Sequence, residues 1–188
     1  NAKKNIYKNQ NKNDFLIVNV DDKQLAKDYG FISKKDNVPR VIPVSTSTEV
    51  KGGVMLKDNI IIDNIKGREV NYLKTENNNF NIKHNLINFA LAYAVGKILD
   101  LKSDKIIKKL LAFRGLPHRL ELLGSKSGVD FIDDSKATNV AATDSALSSF
   151  NKLIWIAGGK GKGDDYTNLL DHSDKILGAY FIGEVAFE

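Results

Sequence analysis

The chain has 188 residues, 42% hydrophobic and 27% charged, enough apolar material for one full domain or two small ones and too little for a large multidomain assembly. Lys and Arg number 28 against 23 Asp and Glu, and the resulting +5 suits a polyanion or a phosphorylated small molecule without requiring either. Having no cysteine, it can build neither a disulfide framework nor a thiolate metal site, which accords with a cytoplasmic location, and no run approaches the roughly 18 apolar residues of a membrane span.

Many lysines stand beside asparagines, as in Lys8-Asn9-Gln10-Asn11-Lys12-Asn13, and such stretches read as solvated surface. Asn1-Ala2-Lys3-Lys4 has no apolar segment behind it and is no secretory signal; lacking an initiator Met, the chain is expected to be a piece of a longer one. After this polar opening, Phe15-Leu16-Ile17-Val18-Asn19-Val20 is the short β-branched run of a buried strand, and Asp21-Asp22 is the turn that follows. Short apolar runs at 41–44, 53–56 and 60–62 predict a hairpin-rich sheet. From Asn85 the period lengthens: Leu86, Phe89, Ala90, Tyr93, Ala94, Lys97 and Ile98 predict a helix running to about Leu99. A second helix follows, with Ser103 as N-cap and Ile106, Ile107, Leu110 and Leu111 on its apolar face. Gly115 and Pro117 stop it, and a domain boundary is expected there, dividing the chain into 1–115 and 116–188.

Beyond the boundary, strands are predicted at 120–123, 129–132, 153–157 and 179–182, with helices near 139–147 and 166–172. Strands alternating with helices predict an α/β fold with crossover units on a parallel sheet, where ligands collect beyond the carboxyl ends of the strands. The Asn-rich stretches near Asn9 and Asn77 are expected to be loops, Trp155 and Tyr180 core residues, and His172 a surface residue at a helix end.

Four clusters carry chemistry. Asp133-Asp134-Ser135-Lys136-Ala137-Thr138-Asn139 follows a strand and precedes a helix, where N-terminal amides favour an anion; the competing reading is that Ser135, Thr138 or Asn139 is simply the helix cap. Gly158-Gly159-Lys160-Gly161-Lys162-Gly163-Asp164-Asp165 also follows a strand, and its glycines let backbone amides and a lysine converge on phosphate or carboxylate, although a plain flexible turn would look the same. It matches neither a Walker A loop nor the dinucleotide fingerprint. Asn85 and Asn88 lie one helical turn apart, and their carboxamides can pair with the donor and acceptor edge of adenine or cap the helix. Gly115-Leu116-Pro117-His118-Arg119-Leu120-Glu121 places a cation and an imidazole at the boundary, suited to phosphate or ribose, or else forms a stiff linker with Arg119 paired to Glu121.

In this order, His84-Asn85-x-x-Asn88, Leu116-Pro117-His118-Arg119, Asp134-Ser135-Lys136-Ala137-Thr138-Asn139 and Gly158-Gly159-x-Gly161-Lys162 resemble the Mur ligase family of peptidoglycan precursor synthesis. The match to Asp-Ser-Lys-Ala-Thr-Asn is specific, because sibling ligases that add other amino acids carry different residues there. The resemblance implies that 1–115 is the later part of a central ATPase domain, its P-loop part absent, and that 116–188 is most of a Rossmann-like C-terminal domain. It further implies a reaction in which ATP, with magnesium, phosphorylates the carboxylate of UDP-N-acetylmuramoyl-L-alanine and D-glutamate attacks the acyl phosphate, carried out by a monomer in the cytoplasm. By position, Asn85 and Asn88 would contact adenine, Arg119 the ATP phosphates or ribose, Asp134 the ribose, and His118 the nucleotide crevice. Lys136, Thr138 and Lys162 would hold the D-glutamate carboxylates, with Lys136 and His118 counted as catalytic. Lys3 matches the lysine that the family carbamylates, which makes it a catalytic and magnesium-binding candidate, while Lys160 is assigned no role. Without a P-loop the chain alone is expected to be inactive. The alternative is a nucleotide- or polyanion-binding α/β module without catalysis, marked by strong salt dependence; no aromatic and basic interleaving suggests nucleic acid as partner.

Overall fold

The computed structural model describes residues 2–32, 38–73, 83–184 and 186, with side chains for 5–30, 38–73, 85–184 and 186. The chain divides into two compact units, Asn1–Phe113 and Arg114–Glu188.

The first unit is built on five strands in sequential order: β1 (Phe15–Asn19), β2 (Arg40–Ser45), β3 (Val54–Lys57), β4 (Ile60–Asp63) and β5 (Glu69–Tyr72). β1, β2 and β3 run parallel, and β3, β4 and β5 antiparallel. The change of sense follows from the connections. Asp58 and Asn59 both have positive φ, +49° and +60°, and form the two-residue turn that reverses β3 into β4. Between β1 and β2 lies a helix that the sequence reading did not contain, α1 (Lys23–Ile32). Asp22 caps it, its Oδ1 accepting from the amides of Gln24 and Leu25 at 2.9 Å each.

Two α-helices follow the sheet in the chain, α2 (Lys83–Ile98) and α3 (Ser103–Leu111). Phe89, Ala90, Tyr93 and Ala94 of α2 share the core with Val44, Val54, Leu56 and Ile61 of the sheet and Ile106 of α3. Ser103 is not the cap expected of it; Lys102 holds the cap position without a side-chain bond, and the Ser103 hydroxyl is buried and turned to the core. There Tyr93 Oη donates to Ser103 Oγ at 2.9 Å, and Lys97 Nζ meets Ser103 Oγ at 2.9 Å, Glu69 Oε2 at 2.8 Å and the buried Asp63 Oδ2 at 3.2 Å. The asparagine stretch at Asn9 is a succession of turns as expected, whereas the one at Asn77 lies outside the described residues.

The second unit departs from the single parallel sheet predicted for it. β6 (Glu121–Lys126) and β7 (Val129–Asp133) form an antiparallel hairpin in a sheet of their own, because the Ser127-Gly128 turn, with φ of +53° and +79°, is far too short for a parallel crossover. α4 (Val140–Ser148) follows, then the parallel pair β8 (Leu153–Gly159) and β9 (Ile176–Gly183). The segment predicted as a helix at 166–172 is instead a 3-10 helix, Thr167–Lys175, and β9 begins at Ile176 rather than at 179. His172 is buried on α4, its Nε2 2.7 Å from Asp144 Oδ1, and is not the surface residue expected. Tyr180 is 64% exposed rather than core, because no further strand covers its face of this two-stranded sheet among the described residues. Trp155 is half-buried and meets Phe181 edge-on at 5.1 Å.

Candidate functional site

In the second unit the hairpin register assembles the site. Starting from the two-residue turn, the pairing runs back to Glu121 opposite Asp133, so the segment entering β6 lies beside the segment leaving β7. His118, three residues before Glu121, has φ +63°, a left-handed conformation that histidine tolerates better than most side chains. The turn is pinned on both sides: the His118 amide donates to Glu121 Oε2 at 2.7 Å, and its carbonyl accepts from the Lys136 amide at 3.1 Å. Its ring Nδ1 stands 2.7 Å from Asp133 Oδ2, while Asp133 Oδ1 accepts from the Ser135 amide at 2.9 Å. Glu121 therefore serves the His118 backbone and is not the Arg119 partner that a stiff linker would need.

Adjacent carboxyls are driven in opposite directions. The His118 hydrogen bond, helped by Ser135, holds Asp133 down to about 2. Burial pushes Asp134 up, partly countered by the Leu120 amide at 3.2 Å and by the charge of Arg119. The two neighbouring acids therefore sit in different environments, Asp133 bound to a histidine ring and Asp134 partly buried. Donor atoms of His118, Glu121 and Asp133 lie within 4.8 Å of one another, and each residue is already engaged by the bonds just described.

On the other side of the β7–α4 turn, Asn139 caps α4, its Oδ1 accepting from the Ala142 amide at 2.9 Å. That leaves Lys136 and Thr138 exposed and not needed as caps. The glycine-rich turn after β8 comes to the same place: Lys162 Nζ donates to the Thr138 carbonyl at 3.1 Å. Lys162, on the turn after β8, thus reaches the backbone of the turn that carries the exposed Lys136 and Thr138. A separate cleft of about 520 Å³ is lined by Val140, Ala141, Asp144, Asp164, Asp165, Asn168 and Asp171, and its carboxylates make it a poor place for an anion.

The remaining expected site residues belong to the first unit. Asn85 and Asn88 stand on the opening turns of α2; since the helix begins at Lys83, Asn85 is inside it and not at its cap. Lys3 lies on the 3-10 helix Ala2–Tyr7, and its side chain is outside the described residues. A cluster the sequence reading did not single out sits at the carboxyl ends of β1 and β2. Asp21 accepts from the hydroxyls of Ser45, Ser47 and Thr46 at 2.6, 2.6 and 2.8 Å and from the Thr46 amide at 2.6 Å. Burial pushes its carboxyl up, and these four bonds outweigh that and hold it below the ordinary value. Its only sequence signal was an acid after one strand and a Ser-Thr-Ser run after another.

The chain is 31% identical over 183 residues to the UDP-N-acetylmuramoylalanine–D-glutamate ligase of Rickettsia prowazekii, covering 97% of this chain and 40% of that one. It is 36% identical to the ligase of the same name from Geobacter metallireducens, over 89% of this chain and 36% of that one. The chain belongs to the Mur ligase family. It spans about 40% of the length of the curated relatives it matches. No protein-family model matches it. In fold, this Mur ligase chain resembles the UDP-N-acetylmuramoylalanyl-D-glutamyl-2,6-diaminopimelate–D-alanyl-D-alanyl ligase of Acinetobacter baumannii, with a TM-score of 0.53, 17% identity, and coverage of 89% of this chain and 42% of that one. A second ligase structure from the same organism gives a TM-score of 0.55 at 15% identity, over 88% of this chain and 42% of that one. The α/β architecture is therefore that of Mur ligase domains, and no helix among the described residues is long and apolar enough to cross a membrane.

Proposed function

We propose that this chain is the part of a D-glutamate-adding Mur ligase that holds the adenine and amino-acid subsites, 1–115 belonging to the central ATP-binding domain and 116–188 to the Rossmann-like C-terminal domain. The complete enzyme would act in the cytoplasm as a monomer, joining D-glutamate to UDP-N-acetylmuramoyl-L-alanine through an acyl phosphate. ATP supplies the phosphoryl group that activates the carboxylate. Magnesium, when bound, offsets phosphate charge, and Lys3 fits it only once carbamylated, when a cation becomes a hard oxygen ligand.

This chain's own residues bind and orient. Asn85 and Asn88 would read adenine from α2; Arg119 would meet phosphate or ribose, and Asp134, whose carboxyl is raised by burial, the ribose hydroxyls. Lys136, Thr138 and Lys162 would clamp the two carboxylates of D-glutamate, leaving its amine free to attack. The observation that carries the reading is the Lys162–Thr138 contact at 3.1 Å, which brings the glycine-rich turn onto the Asp-Ser-Lys-Ala-Thr-Asn turn. Two ammonium groups and a hydroxyl on neighbouring turns match a dicarboxylate better than they match a single charge.

Titrating D-glutamate into the labelled chain is expected to shift the amide resonances of Lys136, Thr138 and Lys162. Lys162→Ala is expected to weaken binding about tenfold or more, the loss of one charge-assisted hydrogen bond. Equal shifts at the acidic cleft and none at the three clamp residues would refute the assignment. Because no Walker A loop occurs in these 188 residues, ADP release dependent on D-glutamate is expected to be undetectable from the chain alone.

A further inference from the structure

We infer that Asp133 is a positioning residue that fixes the ring of His118, holding Nδ1–H and so leaving Nε2 as the ring nitrogen that a ligand can meet. The ligand in question rests on the reading above, in which His118 borders the nucleotide crevice; the orientation itself does not.

Three observations support it. Asp133 is held at both oxygens, Oδ2 by the His118 ring at 2.7 Å and Oδ1 by the Ser135 amide at 2.9 Å, so the carboxylate cannot swing away without losing a second bond. His118 is itself fixed at both backbone groups, by Glu121 Oε2 at 2.7 Å and by the Lys136 amide at 3.1 Å, in a left-handed conformation few side chains adopt. The chain thus accepts local strain and uses four bonds to aim one imidazole. Finally, an ionised carboxylate only accepts, and Asp133 is ionised above a pH of about 2, so the shared hydrogen belongs to Nδ1 and a neutral ring leaves Nε2 with its lone pair.

The arrangement also couples two parts of the site. Asp133 and Lys136 are on the turn that leads to Thr138, so any shift of that turn as a dicarboxylate binds is transmitted to the His118 ring through Asp133 and to its backbone through the Lys136 amide. The other charged groups of this neighbourhood are Arg119, Glu121 and Asp134; Glu121 is committed to the His118 amide, and Asp134 to the Leu120 amide.

The test is the tautomer of His118, read by long-range proton–nitrogen correlation spectra of the labelled chain above neutral pH. The wild-type ring is expected as Nδ1–H. Asp133→Asn keeps an oxygen for the Ser135 amide and turns an NH2 donor toward the ring, so the ring is expected to switch to Nε2–H with the amide spectrum of β8 and β9 unchanged. Asp133→Ala, which offers no acceptor, is expected to give the same loss of Nδ1–H. ATP is then expected to shift the Nε2 resonance of the wild type. An Nε2–H ring in the wild type, or no switch in either variant, overturns the role of Asp133 whatever ATP does. An Nδ1–H ring that switches as expected but stays unmoved while ATP shifts the amides of Asn85 and Asn88 upholds Asp133 and overturns the placing of His118 at the nucleotide.

Discussion

At the scale of single residues, the buried polar group around Tyr93 sets the first unit apart from an ordinary apolar core. Asp63 is 2% exposed at its side chain and depends on Lys97 Nζ at 3.2 Å, with Tyr93 Oη at 3.4 Å beside it. Burial pushes the Tyr93 hydroxyl up to about 12, so it stays a protonated donor across the accessible pH range. Lys97→Met would strand the Asp63 carboxylate, and a loss of about 3 kcal/mol or more is expected in urea unfolding. Glu69, hydrogen-bonded to Lys97, is held down to about 2 from its ordinary 4.5. A carboxyl with a lowered folded value adds stability that is fully present above 4.5 and is lost as pH falls through about 2. Glu69→Gln is therefore expected to flatten the acid limb of the stability curve between these values, measured as the urea midpoint against pH. The heptad-like spacing placed Lys97 on the inner stripe of its helix but could not show why a cation belongs there, since its partners come from β4, β5 and α3.

At the scale of elements, caps and close approaches decide which segments hold. Asn139 caps α4 with its side chain, and Asn139→Ala is expected to cost about 1 kcal/mol. Amide exchange in the first turn of α4 would report it. Gly158 has φ +145°, and a Cβ there would run into the Ile182 carbonyl of the paired strand. Gly158→Ala is expected to destabilise the β8–β9 pair by about 1–3 kcal/mol, seen as lost exchange protection confined to that sheet. The β8 and β9 strands, α2 and α3 were legible because their apolar periods are long or regular. Missing α1 and assigning β6 and β7 to a parallel sheet have a common cause: each turns on a short polar connection. The Asp22 cap and the Ser127-Gly128 turn carry few residues and no apolar period, yet they set direction.

At the scale of the molecule, the two units differ in how much they bury. Val44, Val54, Leu56, Ile61, Ala90, Tyr93 and Ala94 are wholly buried in the first, whereas Leu147 and Leu169 are the buried apolar residues described in the second. Ile154, Ile156, Leu177, Tyr180 and Ile182 stay exposed on β8 and β9, although parallel strands ordinarily have both faces covered. Native-state exchange is accordingly expected to be slower for β3, β4 and α2 than for β8 and β9. Equal protection in the two units would contradict this account of their cores.

The sequence by itself determined the family, the α/β class and the short stretches that carry charge at strand ends, because those depend on local composition, periodicity and contiguous motifs. Only the tertiary structure decided which of those charges meet. Lys162 reaches Thr138, and Asp133 takes the ring of His118, through pairings that depend on turn geometry and strand register. Such contacts join residues far apart in the chain, and no local pattern encodes them.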